Sequence, residues 1–195
     1  MKTAFFSIVL LLGSLAISTA DDGPWYLVPE PQFMRHDVAW PIPGAEQTVL
    51  VPARTIDGEV TLLKRADIPN LETSREEIMA SAVKNASTEL AKIKPQYVRD
   101  RNGSIQYAII ASESPYTAST VFAPEFNDLF EETLGPDILV VIPNRNKIIV
   151  FPRAAPQFGA ASDLVFAEFR SSTYPVSREI FALKNGRLAA VGVMQ

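Results

Sequence analysis

The chain has 195 residues, with 18 Lys and Arg against 22 Asp and Glu, one His and no Cys. The missing thiols exclude Cys nucleophiles, disulfides and Cys-ligated zinc or iron–sulfur sites, and a lone imidazole, His36, excludes two-His metal motifs. A formal charge of −4 argues against nucleic-acid binding, which needs a basic surface, and 47% hydrophobic residues argue against disorder.

Residues 1–20 read as a secretory signal: Lys2 supplies positive charge, an apolar run extends from Ala4 to Leu12, and Ser18-Thr19-Ala20 precede Asp21. Gly13 and Ser14 interrupt the run short of the roughly 18 residues a membrane span needs, so cleavage after Ala20 is the expectation. Cleavage would leave 175 residues with a charge of −5 and no membrane span. The expected location is secreted or periplasmic. A core of this size needs no disulfide staples.

Residues 21–46 read as an extended arm. Six of the 15 prolines fall between Pro24 and Pro52, and proline removes a ladder donor, so at most short edge strands are expected here. Trp25, Tyr26, Phe33 and Trp40 are placed to anchor the arm to the domain.

A single domain is expected over residues 47–195. Thr48 to Val51 and Glu59 to Leu63 flank Asp57-Gly58, a hairpin signal. Ser74 precedes Glu77 in a capping box, and Ile78, Ala82, Ala86, Leu90 and Ile93 recur at helical spacing until Pro95. Tyr97 to Asp100 and Ile105 to Ala111 flank Asn102-Gly103, a second hairpin with a type I′ turn signal. Ser114-Pro115 reads as the start of another helix, kinked at Pro124 and ended by Gly135-Pro136. Ile138 to Ile142 and Lys147 to Phe151 are continuous apolar runs, which places this hairpin at the centre of a sheet buried on both faces. A short helix over Ser162 to Phe169 and a last hairpin, Glu179 to Leu183 with Arg187 to Val191, complete the chain. Without regular βαβ alternation, the expectation is α+β: a mainly antiparallel sheet of hairpins packed by two principal helices.

Several of these segments carry a resemblance. They are Ser74-Arg75-Glu76-Glu77 with Ala82 and Asn85, Tyr116-Thr117-Ala118-Ser119, the hairpin run Leu139 to Arg145, and Tyr174-Pro175-Val176-Ser177 before Asn185-Gly186. Over Ser74 to Gly186 the chain resembles the YtpQ-like proteins, a bacterial family of unknown function. The resemblance implies an α+β fold and no activity. It also has two departures: family members are mostly cytosolic, and they carry an acidic residue after the hairpin arginine where this chain has Asn146.

Three constellations bear on function. A Ser-His-Asp triad would have to use His36, which adjacent Asp37 is poorly placed to orient, and no Gly-x-Ser-x-Gly elbow is present; an anchoring His36 is the default. Glu125, Asp128 and Glu132 share one helical face beside Glu131, a spacing suited to a hard cation or an acid–base pair, although a solvated acidic face is the simpler reading. Arg145, Lys147 and Arg153 surround the central hairpin, with Arg170 and Arg178 as further neighbours, and offer an anion-binding patch; charged residues capping an apolar hairpin are the alternative. Asn85 and Asn102 match the glycosylation acceptor pattern.

The sequence therefore points to a non-catalytic binding or interaction domain, with Arg145, Lys147 and Arg153 as binding residues. The partner would be a protein or a small anionic ligand, with no cofactor, metal or nucleic acid. A carboxylate-dependent hydrolase using Asp128 and Glu132 is the alternative, and a structural accessory of the cell envelope is a third reading.

Overall fold

The hairpin signals build two antiparallel sheets. The computed structural model describes residues 23–195 apart from 155, 157 and 185, so the signal segment and Asn185 lie outside the described residues. The small sheet contains β1 (Tyr26–Pro31), β2 (Trp40–Pro41), β3 (Thr48–Ile56) and β4 (Glu59–Leu62). The large sheet contains β5 (Gln96–Arg99), β6 (Ile105–Ala111), β7 (Ile138–Asn144), β8 (Lys147–Pro152), β9 (Glu179–Lys184) and β10 (Arg187–Val193), in the order β10-β9-β7-β8-β6-β5. The protein is α+β with antiparallel sheets. Among the described residues no helix is long and apolar enough to cross a membrane.

Residues expected in the arm supply a strand to the small sheet. Tyr26 to Pro31 pair with Ala53 to Thr48, and every residue of β1 is buried. Trp25 and Tyr26 are buried as anchors, whereas Phe33 is 69% exposed. Strand β3 runs past Pro52, beyond the expected end at Val51. The Pro52 carbonyl accepts from Leu63, so its nitrogen faces the same edge, in the gap between the end of β2 pairing at Leu50 and the start of β4 pairing at Ala53. The missing N–H therefore costs no ladder bond.

Turn chemistry decides the hairpins. Asp57 and Gly58 both have positive φ, 52° and 83°, as a type I′ turn requires. In the second hairpin Gly103 has φ of 85° but Asn102 does not enter the left-handed region, so that turn is not type I′. Asp100 organises it instead, its Oδ1 accepting from the Asn102 and Ser104 amides at 2.8 and 2.9 Å.

Helix α1 (Arg75–Leu90) starts at the expected capping box: Ser74 Oγ accepts from the Glu77 amide at 3.2 Å and Glu77 accepts from the Ser74 amide at 2.7 Å. Those bonds to Ser74 hold the Glu77 carboxyl below the usual range. The kinked second helix does not form as one piece. Ala123 is extended ahead of Pro124, and the segment divides into 3₁₀ turns at Thr117–Phe122 and Pro124–Phe126 followed by α2 (Asp128–Leu134). The steric restriction on a residue before proline, with the missing Pro124 N–H, explains the break. The second long helix is α3 (Phe158–Ser171), which extends well beyond the expected Ser162 to Phe169.

The helices cover opposite faces of the large sheet. Ala82, Ala86, Phe126 and Phe130 pack on one face with Val140, Ile148, Val150 and Phe181. On the other, Ala161 and Val165 of α3 pack with Leu139, Val141, Ile149 and Phe151. The central β7–β8 pair is therefore buried from both sides, as its unbroken apolar runs require. Each buried Phe contributes roughly 1.5–3 kcal/mol of transfer free energy. At the β10 edge the Pro43 carbonyl accepts from Ala190, and Gly44, with φ of 75°, leaves no space for a side chain because a Cβ would lie 2.7 Å from the Ala190 carbonyl oxygen.

Candidate functional site

The central hairpin turns through Arg145 and Asn146 at the end where β1, the 3₁₀ turn after Tyr116 and the segment around Tyr174 converge. The Arg145 amide donates to the Tyr174 carbonyl and its own carbonyl accepts from Ala118. These bonds aim the guanidinium inward: Nε lies 2.5 Å from Glu30 Oε1, and the Tyr174 ring stacks 4.7 Å from Cζ. Both partners are buried, with side-chain exposures of 11% and 6%. The second Glu30 oxygen lies 3.6 Å from His36 Nε2, so the lone imidazole faces Glu30 and not adjacent Asp37. Asn146, beside Arg145, donates from Nδ2 to the Ser112 and Ser114 carbonyls at 3.2 and 2.9 Å, which a carboxylate could not do. The arginine's carboxylate partner is Glu30, from another strand.

The other candidate cations separate. Lys147 ion-pairs with Glu168 of α3 beside a polar cleft of about 420 Å³ lined also by Ser112, Asn144 and Ser172. Arg153 is exposed past the far end of β8, about 20 Å from Lys147 at ~3.3 Å per residue. Arg170 and Arg178 flank the Phe166 ring at 5.6 and 4.6 Å. Arg145, Lys147 and Arg153 thus form no shared patch: two are matched to internal carboxylates and the third is remote.

Buried polar residues that sequence reasoning missed lie between elements. Glu89, 7% exposed, accepts from Ser114 Oγ at 3.0 Å and from Lys92 at 2.7 Å, and it hydrogen-bonds the Tyr26 hydroxyl. Its position on the stripe of Ala82 and Ala86 was the available signal, since a carboxylate on an apolar face must find partners. Glu179, 2% exposed, accepts from the Glu46 and Gln47 amides at 2.7 and 3.1 Å, and its other oxygen lies 2.6 Å from Thr48 Oγ1. Nothing local marks Glu179 or Glu30. Asn85 is half-buried, and its Nδ2, the atom a glycan would take, donates to the Trp25 carbonyl at 2.9 Å.

Tyr26 stacks on Tyr116 with ring centroids 3.6 Å apart. Burial, followed by the adjacent Glu89 carboxylate, pushes the Tyr26 hydroxyl from 10.0 up to about 12. An unfolded chain releases this proton first, so the stabilisation is fully present below pH 10 and is lost as pH rises toward 12. Burial raises Tyr107 and Tyr116 too. Tyr26→Phe is expected to shrink, without abolishing, the drop in urea midpoint between about pH 9 and pH 11.5. An unchanged drop would show that Tyr26 is not held protonated by the fold.

The carboxylates read as one helical face all follow the break at Ala123: Glu125 lies in the 3₁₀ turn and Asp128 and Glu132 in α2, joined through Asn127 in helical backbone, and all three are exposed. Ser87 Oγ donates to Glu125 at 2.8 Å, tying this turn to α1. Between α1 and α2 lies a groove of about 610 Å³, floored by Leu90, Ile93 and Leu129 and bordered by Glu125 and Asp128. Beneath it Phe126 and Phe130 are fully buried. Among the described residues no group of three or more His, Asp or Glu is placed to hold a metal.

No family model, curated protein or solved structure matches the chain.

Proposed function

We propose that this chain is an exported, non-catalytic interaction domain that engages its partner through the groove between α1 and α2. The observation that carries this reading is the groove's make-up. Leu129 is 38% exposed beside Leu90 and Ile93, and the volume of about 610 Å³ falls within the roughly 300–1,000 Å³ of ordinary binding clefts. The carboxylate-hydrolase reading has less support: Phe126 and Phe130 fill the face between Ala82 and Ala86 of α1 and the central hairpin, Ile78 packs apart from them with Trp25 and Leu63, and the Arg145 guanidinium is turned to Glu30. An anionic small ligand loses its support in the same way, since Arg145 and Lys147 are already matched. An accessory of the cell envelope would be one form of the same interaction role.

Two measurements test the proposal. N-terminal sequencing of the exported chain should begin at Asp21, and an intact Met1 would overturn export. A photo-crosslinking residue at Leu129 should give a discrete adduct in the exporting cell that is absent when the same residue replaces exposed Phe33. No adduct, or the same set from both positions, would overturn the groove as the contact surface.

A further inference from the structure

We infer that the groove takes a basic segment of a protein partner, an apolar anchor flanked by Lys or Arg; this deepens the interaction reading and rests on it. The first observation is the groove's floor, an apolar strip of Leu90, Ile93 and Leu129. The second is its charge. Glu125 and Asp128 line it and no cation does.

The charge extends beyond the groove. No Lys or Arg occurs between Arg101 and Arg145, while Glu113, Glu125, Asp128, Glu131, Glu132 and Asp137 all fall in that interval. Asp128 also lines a second cleft on the other side of α2, with Glu131, so the acidic surface wraps the short helix. Of the lysines along the α1 side, Lys92 is held by Glu89 at 2.7 Å, and Lys84 and Lys94 are exposed outside the lining. Carboxylates gathered on the rim repel an acidic partner and attract a basic one, which selects the occupant more sharply than apolar area alone. Glu125 is also kept in place by Ser87, so one rim carboxylate is fixed before any partner arrives.

The test uses the full mature chain and three amphipathic peptides that share leucines at i and i+4 and differ only in flanking residues: Lys, Gln or Glu. The Lys peptide should bind about tenfold tighter than the Gln peptide at low salt and lose that advantage at high salt, and the Glu peptide should bind weakest. Leu129→Gln should weaken the Lys and Gln peptides alike, by about tenfold. The Glu125→Gln/Asp128→Asn double variant should weaken only the Lys peptide. These side chains are exposed, so the variants fold, and an unchanged melting temperature verifies it. Equal binding of the Lys and Gln peptides, both lost in Leu129→Gln, would overturn the basic partner and leave the groove standing. Binding insensitive to Leu129→Gln, or no binding by any peptide, would overturn both. Competition by spermidine as effective as the Lys peptide would replace the peptide with a small polycation and overturn the proposal.

Discussion

Arg145→Ala is expected to destabilise the protein by about 3–5 kcal/mol, the usual cost of leaving one member of a buried ion pair alone. The loss comes from Glu30 more than from the arginine. Glu30 sits in β1, 4% exposed, with Arg145 as its close cationic partner and His36 at 3.6 Å. Without the guanidinium the carboxylate must stay charged in a poor environment, take up a proton, or open the sheet to water. A double variant, Glu30→Leu/Arg145→Met, removes both charges and should be more stable than Arg145→Ala alone. Urea unfolding of the parent, Glu30→Leu, Arg145→Met and the double variant closes the cycle. If Arg145→Ala lost less than about 1 kcal/mol, the pair would be behaving as a solvated surface bridge and its buried geometry would be wrong.

That pair also explains what the sequence made legible and what it did not. Local signals sufficed where one segment determines its own shape: the Ser74 capping box, the Asp57-Gly58 turn and the double-sided burial of β7 and β8 all stand where pattern placed them. Pattern misled where backbone restriction overrides helical spacing. Val121, Phe122, Phe126 and Phe130 keep an apolar face, yet extended Ala123 before Pro124 divides the segment into turns. The site residues were legible as types and not as partners. Arg145 is singled out by its hairpin, but Glu30 lies 115 positions away in a segment that proline spacing assigns to an arm. Periodicity describes one element at a time, and a contact between sheets leaves no mark in it. The groove follows the same logic, because Leu90 and Leu129 become neighbours only once α1 and α2 pack.

Glu179→Leu is expected to cost a further large amount, about 2–4 kcal/mol, because it removes the acceptor that several donors share. The Glu46 and Gln47 amides and the Thr48 hydroxyl all converge on this carboxylate, which is itself 2% exposed. Leucine matches the volume and can accept nothing. Glu179→Gln retains one acceptor oxygen and should lose about half as much, which separates the lost hydrogen bonds from any packing defect. The damage should also be local in a specific way. Residues 46–48 lead from the Pro43-Gly44 turn, which covers the β10 edge at Ala190, into β3. Releasing them frees that cover, so amide exchange should accelerate at Glu46, Gln47 and Ala190 together while α3 stays protected. Val191 and Val193, already 55% and 40% exposed, would then flank an open strand edge, and the variant should self-associate at concentrations where the parent does not. Fast exchange at Glu46 and Gln47 with Ala190 still protected would show that the Pro43-Gly44 turn holds the edge without Glu179.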